Sequence, residues 1–122
     1  LEIRKKMNIF LKKNINKKVV ILDIPLLLEN KINKKKDILV FVESKKSDTL
    51  KILRKRENFN LKLLNKFKNI QLSPNYKKKK SQFIIKNNFT NKSVNKSIKK
   101  ILKDILWNER GYTWYRNNRF IR

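Results

Sequence analysis

The chain has 122 residues, of which 34 are Lys or Arg and 9 are Asp or Glu, so its formal net charge is +25. It contains neither Cys nor His, which excludes disulfides, Cys or His zinc sites and a Ser-His-Asp triad made from these residues alone. Its single glycine, Gly111, excludes the G-x-x-x-x-G-K-[ST] and G-x-G-x-x-G phosphate motifs within this sequence. Since no apolar run is long enough to cross a bilayer and no signal-peptide pattern is visible, we predict a cytoplasmic protein without a membrane partner.

The positive charge has two interpretations. A basic nucleic-acid-binding module would use the four consecutive lysines 77–80 and the Arg-rich end of the chain. Alternatively, Lys and Asn accumulate at solvated positions, as an A/T-rich coding sequence favours. Before residue 110, Arg occurs only at Arg4, Arg54 and Arg56, although Arg is the side chain best suited to grip phosphate. We favour the compositional explanation and predict no specific nucleic-acid partner.

Apolar residues are grouped in two ways along the chain. Residues 1–14 carry them at helical spacing, which predicts a first helix with lysines on its wet face. Three continuous apolar runs, at 19–22, 38–42 and 83–85, are typical of strands that are covered on both faces of a parallel sheet.

Helical patterns follow the second and third runs. We predict three helices there, with Ser47, Asn60 and Ser93 as their N-caps, and Pro74 as the residue that stops the second of them. Strands that alternate with helices in this order indicate an α/β layer fold.

The composition changes at residue 107. From there Arg replaces Lys, and aromatic residues crowd into W-N-E-R-G-Y-T-W-Y-R-N-N-R-F-I-R without a persistent helical or strand period. One interpretation is an Arg-aromatic patch that stacks on bases. We favour the other, in which residues 107–122 are a tail foreign to the domain formed by residues 1–106.

The segment after the first apolar run is the best candidate for chemistry. Asp23 follows that run directly, and ligands of open α/β sheets bind just beyond the carboxyl ends of the strands. An Asp there can hold Mg²⁺, accept a proton from a hydroxyl, or simply bond local amides in a turn. Pro25 ends the strand, the three leucines 26–28 either pack inward or line a ligand pocket, and Glu29 closes the segment.

Residues 19–30, V-V-I-L-D-I-P-L-L-L-E-N, resemble the strand and the D-x-P-L-L-x-E-N loop of bacterial dephospho-coenzyme A kinases. The resemblance covers Glu2 to about Leu106, the latter part of that family's domain. It departs from the family in the lid motif Q-x-x-R-x-x-x-R, whose Gln and first Arg are replaced. The departures are Thr49 in place of that Gln, Ile52 in place of that Arg, and Lys86 in place of an Asp. The landmarks that agree, in chain order, are Glu2-Ile3-Arg4 with Met7, the strand from Asp37 to Val42, Arg56 as the second Arg of the lid motif, Gln71, Lys77, and the segment from Phe83 to Asn87 apart from Lys86.

The resemblance implies a P-loop kinase domain with three α/β/α layers, parallel strands and a helical lid at about residues 54–80. Such an enzyme, a phosphotransferase of coenzyme A biosynthesis, uses ATP and Mg²⁺ to phosphorylate the 3′-hydroxyl of dephospho-coenzyme A. Its small-molecule partners are therefore ATP and dephospho-coenzyme A. The implied site residues are Arg56 and Asp23 for catalysis, Pro25, Leu26, Leu27 and Glu29 for the acceptor, and Arg54 and Asn87 for the nucleotide.

Two family features have no counterpart in these 122 residues, namely the first strand and the phosphate loop that follows it. In the family that strand lies between the strands equivalent to 19–22 and 38–42, so we expect their edges either to pair directly or to stay open. We also expect the main Mg²⁺ ligands to lie in the absent half, and the chain alone to be inactive. Finally, we expect the loop at 23–29 to share one cleft with Arg56 and Asn87.

Overall fold

Five helices and four short strands make up the described part of the chain. The computed structural model describes residues 2–107 and 120–121. It confirms the mixed α/β class with parallel strand pairing. In chain order the elements are α1 (Glu2–Lys13), β1 (Val20–Ile21), β2 (Val40–Glu43), α2 (Lys46–Arg54), α3 (Leu61–Ile70), α4 (Pro74–Lys80), β3 (Phe83–Lys86), α5 (Asn91–Trp107) and β4 (Phe120–Ile121).

Helix capping agrees with the sequence at one of the three predicted residues. Asn60 caps α3, since its side chain accepts hydrogen bonds from the N–H groups of Lys62 at 2.9 Å and Leu63 at 3.2 Å. Pro74 lies four residues after Ile70, the last residue of α3, and it also begins the next helix. It occupies the first turn of α4, where its missing N–H costs nothing.

The other two predicted caps are wrong. Ser47 is the second residue of α2, which begins after Lys45 without any side-chain cap. Ser93 lies inside the first turn of α5, and its hydroxyl donates instead to Oδ1 of Asn88 at 2.6 Å. α2 starts one residue before Ser47 and α5 starts two residues before Ser93, since a serine hydroxyl can also bond within a turn or helix.

Parallel strands form two separate pairs within the described part of the chain. β2 pairs with β3 in the register Val40↔Phe83 to Glu43↔Lys86, and β1 pairs with β4. β1 and β2 share no hydrogen-bonded ladder, so the two strands do not pair directly across the position of the family's first strand.

The end of the predicted tail contains a short strand. Phe120 and Ile121 form β4, which lies parallel to Val20 and Ile21 of β1. A strand edge exposes unpaired N–H and C=O groups, and a two-residue strand can satisfy some of them without leaving any period in the sequence. The remaining tail residues, 108–119 and 122, lie outside the described part.

Two hydrophobic clusters hold the helices to the strands. The first joins α1 to β1 and the residues after it, and the second joins α5 to β2 and β3. Val19, next to β1, packs against the second cluster, so side-chain packing rather than strand hydrogen bonding connects the two strand pairs. The buried members are Met7, Leu11, Val20 and Leu22 in the first cluster, and Ile38, Ile101 and Ile105 in the second.

Candidate functional site

A compact turn follows β1 and contains the predicted acceptor loop. Two of its residues, Leu26 with φ 53° and Lys31 with φ 50°, adopt the left-handed backbone conformation, which is energetically unfavourable for residues that carry a Cβ. Asn30 holds the turn closed, since both its N–H and its Nδ2 donate to the carbonyl of Leu26 at 3.0 Å. From α1, Nη2 of Arg4 donates to the carbonyl of Asn30 at 3.1 Å. The first helix therefore anchors the loop.

The loop lines a cavity of about 190 Å³. Most of the wall is apolar, which suits contact with the uncharged part of a ligand, and its four polar side chains include two carboxylates and one ammonium. The polar members are Asp23, Glu29, Lys77 and Ser81, and the apolar members are Leu22, Ile24, Leu26, Leu27, Leu28, Leu39, Val40 and Phe41.

Four of the five residues that we predicted around Asp23 thus contribute to one cavity, namely Asp23, Leu26, Leu27 and Glu29. Pro25 begins the turn and is exposed, and it does not belong to that wall. Asp23 lies two residues beyond the end of β1, at the carboxyl edge where ligands of α/β sheets bind.

Glu29 contacts α4 and the connection before it, and it is not open to solvent. Its side chain is 9% exposed, and its Oε1 lies 2.6 Å from Nζ of Lys77 on α4. The same oxygen accepts a hydrogen bond at 3.0 Å from the N–H of Leu72, which lies between α3 and α4. Burial acts to raise the pKa of Glu29, but the hydrogen bonds from Lys77 and Leu72 and the nearby positive charge outweigh it, so the pKa is lowered.

A second ion pair connects α4 to the end of β2. Nζ of Lys78 lies 2.7 Å from Oε1 of Glu43, the last residue of that strand. The hydrogen bond from Lys78 lowers the pKa of Glu43, and the charge of Lys86 on β3 adds to the effect. Two consecutive lysines of α4 therefore pair with one carboxylate in the turn after β1 and one at the end of β2.

Asn87 lines a different cavity, of about 660 Å³, beyond the carboxyl ends of β2 and β3. Its Oδ1 accepts the N–H of Phe89 at 2.8 Å, so the carbonyl half of the amide already serves the local turn. The Nδ2 group is the part of this side chain left to contact a ligand. Lys86, which stands where the family has an Asp, and Glu43 also line this cavity.

The two lid arginines stand apart from both cavities. Arg54 is the last residue of α2 and Arg56 lies in the turn that follows; both are exposed, and neither belongs to the wall of the Asp23 cavity or of the Asn87 cavity. Neither of these two cavities joins the acceptor loop to both Arg56 and Asn87, so the single cleft that we expected stays a prediction.

Lys77 and Lys78 are the site residues that sequence reasoning missed. The sequence analysis names residues 77–80 as four consecutive lysines and Lys77 as a landmark of the family resemblance, but assigns neither Lys77 nor Lys78 to the site. That position was a usable signal for Lys77. Nothing in the sequence pattern indicates the Lys78–Glu43 pair, because the pairing depends on how α4 lies across the end of β2.

Among the described residues, none of the helices combines the length and apolar character that a bilayer crossing requires. No curated protein and no solved structure matches the chain. A family model for dephospho-CoA kinase, in contrast, matches residues 2–93, about three quarters of the sequence. That stretch contains the turn after β1, the Asp23 cavity and the α4 lysines, and the chain therefore belongs to the dephospho-CoA kinase family.

Proposed function

We propose that this chain forms the acceptor side of a dephospho-coenzyme A kinase, an enzyme that transfers the γ-phosphoryl group of ATP to the 3′-hydroxyl of dephospho-coenzyme A. The observation that carries this proposal is that Asp23, Leu26, Leu27 and Glu29 line one cavity at the carboxyl end of β1. The family match over residues 2–93 supports the same assignment.

The cavity wall suggests how the acceptor is held. Leu26 and Leu27 offer apolar contact to the uncharged part of dephospho-coenzyme A. Asp23, at the strand end, orients the ribose through a hydrogen bond from a hydroxyl, which an ionised carboxylate accepts well. Holding the acceptor still is a large part of catalysis in phosphoryl transfer, because that reaction depends mainly on positioning and charge neutralisation.

The arginines complete the site only when the lid moves. Arg54 ends α2 and Arg56 lies in the turn between α2 and α3, so a rotation of this segment carries both guanidinium groups. Brought over the acceptor cavity, they would neutralise charge on the transferred phosphoryl group, as fork-shaped donors do well. Asn87 contacts the adenine of ATP from its own cavity through Nδ2.

Mg²⁺ accompanies ATP in such kinases, but the described residues do not form a site for it by themselves. They contain no group of three acidic side chains that could surround a metal ion. At the acceptor cavity Glu29 is occupied by Lys77, which leaves the carboxylate of Asp23. One carboxylate does not hold Mg²⁺ without phosphate oxygens or further ligands, so we assign no step of the reaction to a metal held by these residues.

The sequence contains one glycine and no phosphate-loop motif. Without the backbone N–H groups and the Lys of such a loop, the β- and γ-phosphates of ATP have no cradle. We therefore propose that these 122 residues bind the acceptor but do not catalyse the transfer alone.

Calorimetric titration of the full chain with dephospho-coenzyme A tests the acceptor assignment. We expect saturable binding that Leu27→Ala weakens about tenfold, as the loss of apolar contact in a pocket does. Leu106→Ala, on the outer side of α5, is the control and should leave the affinity unchanged. Absence of saturable binding by the unmodified chain would overturn the assignment, and ADP release well above blank in a coupled assay would overturn the proposed inactivity.

A further inference from the structure

We propose that Lys77 and Glu29 are positioning residues, whose ion pair fixes the turn at residues 25–31 in the shape that lines the Asp23 cavity. This inference rests on the proposed function only where it calls that turn the acceptor loop. The pair itself, and its effect on the loop, follow from the contacts described above.

The turn needs external support because its backbone is unfavourable. Leu26 and Lys31 are both left-handed, and neither is a glycine. Such conformations persist when the surrounding structure determines them, and they are frequent at ligand-binding sites. The contacts of Arg4 and Asn30 support the turn from the side of α1.

Glu29 supports the turn from the opposite side. One carboxylate oxygen receives both the ammonium of Lys77 at 2.6 Å and the N–H of Leu72 at 3.0 Å. These contacts join the loop to two neighbouring segments that are more than forty residues away in sequence, namely the connection before α4 and α4 itself. Glu29 is 9% exposed and Lys77 23% exposed, so the pair is screened less than a surface ion pair would be.

The ion pair also divides two cavities. Glu29 and Leu28 belong to the wall of the Asp23 cavity and equally to that of a neighbouring cavity of about 350 Å³. Lys77 lines the first cavity, whereas Tyr76 and Lys80 of the same helix line the second. Leu39 also lines both cavities, so loss of the pair would open part of the partition between them and thereby change the size of the acceptor cavity.

The Lys78–Glu43 pair adds a second point of attachment for α4. In α3, by contrast, Leu64 is half-buried and the other nine residues are exposed. The attachments therefore hold α4 against the sheet edge and leave α3, on the far side of Leu72, as the part of the lid that can move over the acceptor.

Hydrogen exchange of the full chain without ligand tests the positioning role directly. In Lys77→Met we expect the amides of residues 22–32 and 72–80 to exchange about tenfold faster, while β3 and α5 keep their protection. Lys77→Arg retains the charge and should stay within about twofold of the unmodified chain. Lys79→Met removes the same charge from an exposed position of α4 outside both ion pairs, and it should change nothing.

Two results would overturn the proposal: Lys77→Met behaving like Lys79→Met, or exchange rising equally in α5. Neither depends on a substrate, so they are distinct from a failure of the proposed function, which would appear as no binding of dephospho-coenzyme A to the unmodified chain. Where that chain binds, Lys77→Met should weaken binding about tenfold and Lys77→Arg should restore it. Unchanged affinity in a chain whose loop has loosened would also contradict the positioning role.

Discussion

Replacement of Ile105 by alanine should remove a large share of the stability of this protein. Ile105 is 5% exposed and lies with Ile38 and Ile101 in the cluster that joins α5 to β2 and β3. The substitution deletes about three buried carbon groups, which at about 0.8 kcal/mol each gives roughly 2.4 kcal/mol of lost transfer free energy. The cavity left behind adds to this, within the range of about 2–5 kcal/mol observed for such changes.

We expect a loss of about 3 kcal/mol, in the lower half of that range, because the cluster is small and not fully buried. No described side chain is less than 2% exposed, and we expect Leu102, which packs against the cluster, to fill part of the space. A chain of this length has a total unfolding free energy of roughly 6–18 kcal/mol. With a small core this protein should lie near the lower limit, so one substitution would cost up to about half of it.

Urea unfolding followed by far-UV circular dichroism measures the effect. With a slope of about 2 kcal/mol per molar urea, the midpoint should fall by about 1.5 M. Leu106→Ala is the matched control, since Leu106 is the next residue of α5 and is 36% exposed; we expect a loss of less than about 1 kcal/mol there. Equal losses at the two positions would refute the packing of α5 on the strands.

Three further results are expected. Folding lowers the pKa of Glu29, so its ion pair stabilises the protein fully above the ordinary carboxyl pKa, and this stabilisation is lost as the pH falls through the lowered pKa. The unfolding free energy should therefore drop less steeply at acidic pH in Glu29→Gln than in the unmodified chain. Identical pH profiles of the two proteins would contradict this. Lys31→Gly removes the backbone strain of a left-handed lysine, so the unfolding free energy in the same urea titration should rise by about 0.5 kcal/mol. Lys36 does not have a positive φ, and Lys36→Gly should lower the unfolding free energy by a similar amount. Binding to duplex DNA, measured by fluorescence anisotropy, should be non-specific and disappear near about 0.15 M salt, and persistent binding there would favour the nucleic-acid interpretation of the charge.

Much of the fold could be predicted from the sequence because apolar periodicity is a local signal. The helices around Met7 and Leu64, and the strands at the three apolar runs, appear close to their predicted places. Helix starts were less predictable. Ser47 and Ser93 each have a chemically reasonable cap position, but neighbouring turns decide which residue begins the helix.

In the candidate site, too, some residues could be predicted from the sequence and others could not. Asp23 and the leucines could be assigned because they are contiguous in sequence and follow a strand. The partners of Glu29 could not, because Leu72 and Lys77 are more than forty residues away and approach it only through the path of the chain between α2 and β3. The strand at Phe120 was also unpredictable, since two residues that complete another strand's hydrogen bonds carry no pattern of their own.

The exposure of α3 has a consequence for how binding free energy is divided. An isolated helix of ten residues is shorter than the length of about 12–15 at which helices become even marginally stable in water. Asn60 stabilises its first turn, but the apolar side chains of Leu61, Phe67 and Ile70 remain in contact with solvent. A ligand that α3 covers would bury these side chains. Part of the favourable free energy of that ligand's binding would then offset the cost of ordering the helix. Ligands too small to reach α3 should therefore bind with little change in helical content, whereas longer ones should increase it.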